Sequence, residues 1–209
     1  TDDRLRRSKH GQWWETEPQR GLANNSACYT EKPDFEAFMN EWSSLYESRS
    51  GERGFFSRVA SQKQAAKNGR RDPDHDFGTN PCSEIILRPQ EFCNLSEVVI
   101  RWDDTPEQLL TKVRLATILG TLQATLTDFR YLRKKWQDNT AEEALLGVSL
   151  TGILDNKRMG TVGPELAKEL EALKDETIKV NKEWAEKLGI NQSVAITCVK
   201  PSGTVSQLV

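Results

Sequence analysis

The chain has 209 residues, 36% of them hydrophobic and 29% charged, with a formal net charge of −2 and a mean hydropathy of −0.65. Such a chain is long enough to bury one sizeable core; it carries no apolar run of membrane-spanning length, and no signal peptide is expected. Its charge gives no general attraction to nucleic acid; Arg4, Arg6, Arg7 and Lys9 cluster, as do Arg70 and Arg71, but such clusters read as solvated loops.

Along the chain, helical patterns alternate with short apolar segments. Pro33 opens a helix in which Phe35, Phe38, Met39, Trp42, Leu45 and Tyr46 form a stripe at helical spacing, expected to face a core and to end before Ser50-Gly51. Residues 61 to 79, dominated by Lys, Arg, Asp, Asn and Gly, read as an exposed loop. Glu84 to Leu87 and Asn94 to Arg101 are expected strands, the second containing the β-branched run Val98-Val99-Ile100. Thr105-Pro106-Glu107-Gln108 has capping-box form with Pro at the first helical position. The helical pattern that follows runs through Leu109, Val113, Leu119 and Leu126, breaks near Thr127, and resumes to Trp136. Pro164 opens another helix, closed by Gly189, and Val194 to Val199 is a short strand feeding a turn. Strands separated by helices argue for α/β architecture. With no internal repeat, low-complexity stretch or linker, residues 1 to 209 read as one domain.

Four cysteines, Cys28, Cys82, Cys93 and Cys198, show no C-x-x-C spacing, and the only histidines are His10 and His75, so no metal site is expected. So few cysteines fit a reducing cytoplasm better than a secreted disulfide frame. Cys82 and Cys93 stand eleven positions apart, and Asn80-Pro81-Cys82-Ser83-Glu84 places an amide, a thiol and a carboxylate within five residues. A thiol beside a carboxylate suits redox or radical work on a hydroxylated substrate, because the carboxylate can take a hydroxyl proton while sulfur handles single hydrogens or electrons. From spacing alone, two buried structural cysteines on neighbouring strands fit equally well.

The stretch from Thr79 to Glu97, TNPCSEIILRPQEFCNLSE, resembles the active-site segment of ribonucleotide reductases, in the form found in the adenosylcobalamin-dependent (class II) enzymes of phage and cyanobacterial type. Trp13-Trp14, Leu22 to Ser26, Ser50 to Gly54, Gly147 to Gly152 and Lys200 to Thr204 resemble that class in the same order along the chain. The resemblance implies an internal portion of a ten-stranded α/β barrel, with a loop carrying the catalytic cysteine in its centre. It also implies roles. Cys82 matches the cysteine that becomes a thiyl radical and removes the 3′-hydrogen of the ribose. Glu84 matches the carboxylate that takes the 3′-hydroxyl proton, and Asn80 the amide that orients the substrate hydroxyls. Cys93 matches one member of the redox pair, whose partner lies upstream of this chain. Pro201, Ser202, Gly203 and Thr204 match the turn that holds the substrate's phosphates.

The expected cofactor is adenosylcobalamin, with no residue assigned to hold it. The expected partners are a ribonucleotide, a thioredoxin-like reductant and further segments of the same polypeptide, with neither nucleic acid nor membrane. Cys28 and Cys198 are expected to be structural, Cys198 in a buried strand, and Trp13 and Trp14 to pack rather than to stack on a base. Two other readings stand beside this one. One is the large subunit of an oxygen-dependent, diiron reductase. The other is a non-catalytic nucleotide- or cobalamin-binding fragment.

Overall fold

Asp34, not Pro33, starts the first long helix: its carboxylate accepts from the Ala37 amide at 2.9 Å, and Pro33 precedes it. The structure, a computed structural model, describes residues 2–201, so Ser202, Gly203 and Thr204 lie outside the described residues. The chain divides after Pro89 into two compact units.

In the first unit, short helices α1 (Asp3–Arg6) and α2 (Trp13–Thr16) and a 3-10 turn (Pro18–Leu22) lead to strand β1 (Ala27–Tyr29). Helix α3 (Phe35–Ser48) then carries the chain to β2 (Phe55–Ser57), which pairs in parallel with β1, Ala27 against Phe55. Contrary to expectation, the apolar stripe of α3 is not core. Phe35 and Tyr46 are 80% and 73% exposed, whereas Glu41, Ser44 and Ser48 are buried. Glu41 decides this orientation, because its carboxylate lies 3.2 Å from both the Arg6 and the Arg53 guanidinium, and a withdrawn carboxylate needs such partners. The aromatic rings instead form a surface ladder, with Phe55 stacked between Tyr29 and Trp42 at centroid distances of 6.4 and 6.1 Å. The amino-terminal basic cluster is only partly solvated: Arg4 and Arg7 are exposed, whereas Lys9 is buried, donating to the Ala23 carbonyl at 2.7 Å, and Arg6 is tied to Asp3 and Glu41.

The expected loop over 61–79 begins as a helix, α4 (Arg58–Ala66), capped by the Ser57 hydroxyl. Its Lys, Gln and Ala residues look loop-like by polarity but are strong helix formers. A hairpin follows, with β3 (Gly78–Thr79) antiparallel to β4 (Ile86–Leu87), so only two residues of the expected strand 84–87 are extended. Arg58 donates to the Phe77 carbonyl and Arg71 to the Ile86 carbonyl, both at 2.9 Å, and anchor the hairpin's base over the fully buried Phe77.

In the second unit, β5 (Asn94–Val99) runs along the expected segment. Helix α5 (Pro106–Gln123) has the expected capping box, with Thr105 and Gln108 bonded reciprocally at 2.8 and 3.3 Å. The helical pattern stops at Gln123 rather than Leu126, and the next helix, α6 (Lys134–Glu143), starts only two residues before Trp136. Strand β6 (Leu146–Thr151) lies parallel to β5 in register from Asn94–Leu146 to Val99–Thr151. After a 3-10 turn (Ile153–Asp155), α7 (Pro164–Leu188) ends as expected at Gly189, in left-handed conformation. The expected strand 194–199 reduces to one parallel bridge, Val148 to Thr197, with the Leu146 and Val148 amides donating to Ala195 and Ile196. Val98, Ile100, Leu109, Val113, Leu146, Val148, Leu173 and Ile196 form one core cluster, in which the strands meet α5 and α7.

The turn after β6 is held from several sides. Asp104 accepts from Lys112 at 2.6 Å and from the Arg101 amide at 2.7 Å, and Asn156 donates to the Arg101 and Asp104 carbonyls. Burial opposes the charge on Asp104, but these donors prevail and hold its pKa below the ordinary carboxylate value. Gly152 sits in this turn with φ +73°, where an added Cβ would lie 2.5 Å from the Ile100 carbonyl oxygen. Gly152→Ala should therefore destabilise the protein by about 3 kcal/mol, measurable as a lowered urea midpoint with unchanged slope.

Candidate functional site

Asn80 builds the loop that presents Cys82. Its backbone amide donates to the Ile85 carbonyl at 3.3 Å, its carbonyl accepts from Ser83 at 3.1 Å, and its side-chain Oδ1 accepts from the Ile85 amide at 3.1 Å. With Ile85 buried beneath, residues 80–85 close into the tip of the β3–β4 hairpin. Pro81, Cys82 and Ser83 are exposed on that tip, while Glu84 beside them is half-buried. Ser83 takes a left-handed conformation, φ +68°, unusual for a residue other than glycine.

Three of the singled-out sequence segments meet in this first unit. The Asn24 amide donates to the Pro81 carbonyl at 3.1 Å and to the Ser83 hydroxyl at 2.9 Å, linking Leu22–Ser26 to the cysteine loop. Ala27 donates to the Gly54 carbonyl at 2.9 Å, and Gly54 lies so close to Ser26 that a Cβ would stand 2.9 Å from its hydroxyl. The chain Leu22–Ser26 thus rests on Ser50–Gly54 and grips Asn80–Glu84. The Trp13 and Trp14 rings meet edge to face at 6.1 Å, with Trp14 exposed and the Lys9 ammonium 5.0 Å from the Trp13 ring centre.

Cys93 belongs to the second unit. It precedes β5, whose first residue, Asn94, is fixed by two bonds to the Leu145 carbonyl, from its amide at 2.9 Å and its side chain at 3.0 Å. The thiol is half-buried beside a hollow of about 550 Å³ lined by Phe92, Phe129, Tyr131 and Thr140. Phe92 packs on Phe129 and Trp136 at 5.0 and 4.8 Å. Two further segments of the sequence pattern meet here, because the Lys200 amide donates to the Ser149 hydroxyl at 3.0 Å. That bond places the start of Lys200–Thr204 at β6; Pro201 is exposed.

Of the remaining cysteines, Cys198 differs from expectation. Cys28 is exposed on β1, between the inward-facing Ala27 and the half-buried Tyr29, because strand alternation turns it outward. Cys198 is half-buried rather than core, since its segment makes one bridge instead of a full strand; it lines a hollow of about 390 Å³ with Leu150, Leu173 and Thr177. Among the described residues no cluster of three or more His, Cys, Asp or Glu side chains could hold a metal ion, and no helix is long and apolar enough to cross a membrane. The sequence pattern assigns Asn24-Asn25-Ser26 to shaping the substrate end of the barrel, but nothing in it shows that Asn24 reaches the loop carrying Cys82.

No family model matches the chain. It is 29% identical over 178 residues to an adenosylcobalamin-dependent ribonucleoside-triphosphate reductase of Lactobacillus helveticus, covering 73% of this chain and 23% of that protein. The reductase of the same name from Lactobacillus acidophilus is 31% identical over 160 residues, 63% of this chain and 21% of the relative. The chain therefore spans under a quarter of the relatives it matches. Among solved structures, a B12-dependent (class II) ribonucleotide reductase superposes with a TM-score of 0.53 at 22% identity, over 90% of this chain and 34% of that one. That second likeness concerns the fold, a mixed α/β arrangement. Motif order, relatives and fold thus agree that this chain is similar, over most of its length, to part of the adenosylcobalamin-dependent class II ribonucleotide reductases.

Proposed function

We propose that the polypeptide carrying this chain reduces ribonucleotides to 2′-deoxyribonucleotides for DNA synthesis, by thiyl-radical chemistry that adenosylcobalamin initiates. The observation that carries this reading is the exposed Cys82 thiol at a hairpin tip shaped by Asn80, with Glu84 two residues on. The names of the relatives supply the cofactor and the ribonucleoside triphosphate. In this reading residues 1 to 209 are an internal portion of a ten-stranded α/β barrel, and the hairpin tip is the loop at its centre.

A radical source needs a sulfur that can be approached, and Cys82 meets that need; no described residue is assigned to hold the cofactor. When bound, adenosylcobalamin supplies a carbon-centred radical able to take a hydrogen atom from a thiol. Cys82, then a thiyl radical, removes the 3′-hydrogen of the ribose. Glu84 takes the 3′-hydroxyl proton, the 2′-hydroxyl leaves as water with one of the two protons that the redox cysteines supply, and the Cys82 thiol returns its hydrogen atom to C3′ to close the cycle. Asn80 has its Oδ1 engaged by Ile85, so its Nδ2 is the group that orients the substrate hydroxyls. Cys93 and a partner cysteine outside this chain give up two electrons and two protons, end as a disulfide, and are restored by a thioredoxin-like reductant. The turn Pro201, Ser202, Gly203, Thr204 holds the phosphates through backbone amides and hydroxyls. The sparse cysteines suit a reducing cytoplasm.

The test is turnover by the full-length polypeptide. Ribonucleotide reduction should depend on added adenosylcobalamin. Turnover only with a diiron partner subunit would place the protein in the oxygen-dependent type. No turnover under either condition would leave a nucleotide- or cobalamin-binding role instead.

A further inference from the structure

We infer that Asn24 is a positioning residue for Cys82, acting through the backbone on both sides of the thiol. The inference rests on the reading of Cys82 given above. The bonds that close residues 80–85 are internal to the hairpin tip: they fix its shape without fixing where it stands. Asn24 supplies bonds from outside. One Nδ2 donates to the carbonyl of Pro81, immediately before Cys82, and to the hydroxyl of Ser83, immediately after it, at 3.1 and 2.9 Å. The amide's orientation is unambiguous, because its Oδ1 accepts from the Ser26 backbone amide at 2.8 Å, and a backbone N–H can only donate.

Asn24 is itself rigidly mounted. Its neighbour Ala23 accepts from the buried Lys9 ammonium at 2.7 Å, Asn25 donates to the Ser8 hydroxyl at 2.9 Å, and Ala27 is bonded to Gly54. The clamp therefore transmits the position of a braced segment to a loop 57 to 59 residues further along. It also meets the loop where it is strained, since Ser83 holds φ +68° without being glycine, and its hydroxyl is the atom Asn24 grips. Hydrogen-atom transfer to and from a sulfur requires the reacting atoms close to contact, and a misplacement of about 1 Å can cost on the order of a hundredfold in rate. Two bonds that straddle Cys82 limit that displacement.

Asn24→Asp keeps the size and the acceptor for Ser26 but replaces the donor facing the Pro81 carbonyl with an oxygen; Asn24→Ala removes the side chain. In the full-length enzyme both should lower kcat roughly a hundredfold with KM changed less than about twofold. Ser83→Ala, which leaves the Pro81 bond intact, should lose about tenfold, and its effect should largely vanish in the Asn24→Ala background. A readout independent of turnover is amide hydrogen exchange by mass spectrometry. Exchange across residues 80–85 should rise in the Asn24 variants while α4 stays unchanged. A kcat within about threefold of the parent, or unaltered exchange at 80–85, would overturn the clamp. Cys82→Ser serves as the control: substantial turnover in that variant would instead defeat the reading of Cys82, leaving the exchange result to decide whether Asn24 holds the loop.

Discussion

Cys82→Ser in the full-length enzyme should abolish ribonucleotide reduction, with a loss of at least about four orders of magnitude, equivalent to more than about 5 kcal/mol of barrier. The serine hydroxyl is close to isosteric and can keep the loop's shape, so folding and substrate binding should persist. What disappears is a hydrogen weak enough to be taken as an atom, because an O–H bond is much stronger than an S–H bond. Cys93→Ser should behave differently. Radical formation at Cys82 remains available, but no disulfide can form at position 93, so multiple turnovers should cease. Rapid-quench measurement of deoxynucleotide per enzyme separates the two. Equal single-turnover yields of deoxynucleotide in both variants would mean that the roles of Cys82 and Cys93 are misassigned. The structure gives the two thiols different settings, Cys82 exposed on a hairpin tip and Cys93 half-buried at the entrance to β5.

Glu84→Gln should lower kcat by about 10² to 10⁴ with little change in KM. Glutamine matches the carboxylate in size and can still hydrogen-bond a hydroxyl, but it cannot take the proton whose removal, in the proposed reaction, lets the 2′-hydroxyl depart. Glu84→Asp keeps the base and withdraws it by one methylene, so its activity should fall between parent and Gln variant. Steady-state kinetics on all three proteins test the order, and a Gln variant as active as the parent would remove Glu84 from the chemistry. The half-buried side chain stands two residues from the exposed thiol on a loop braced by Asn80 and gripped by Asn24.

How much of this could be read before folding differs from element to element. Helices α5 and α7 and strand β5 were legible because their signals are local. Thr105 and Gln108 cap α5 with bonds across three residues, and Gly189 ends α7 by adopting a conformation that glycine enters freely. Strand β5 shows itself by its β-branched run. Helix α4 was missed because Lys, Gln and Ala mark solvated loops and good helices alike. In α3 the stripe was seen and its orientation misjudged. Periodicity says that one face differs from the other, but the buried face was chosen by Glu41 and its two arginines, one of them 35 residues distant.

The sequence by itself determined which thiol, which carboxylate and which amide stand in one short string, and the order of the segments that resemble the class II reductases. Those facts depend only on covalent neighbours. Tertiary structure alone decided that Cys198 escapes full burial and that Asn24 reaches Pro81 and Ser83. The Asn24 bonds span 57 and 59 residues, and such a separation in the chain carries no periodic or local signal. Side-chain geometry at such distances is set by how the elements pack, and not by the residues that flank each group.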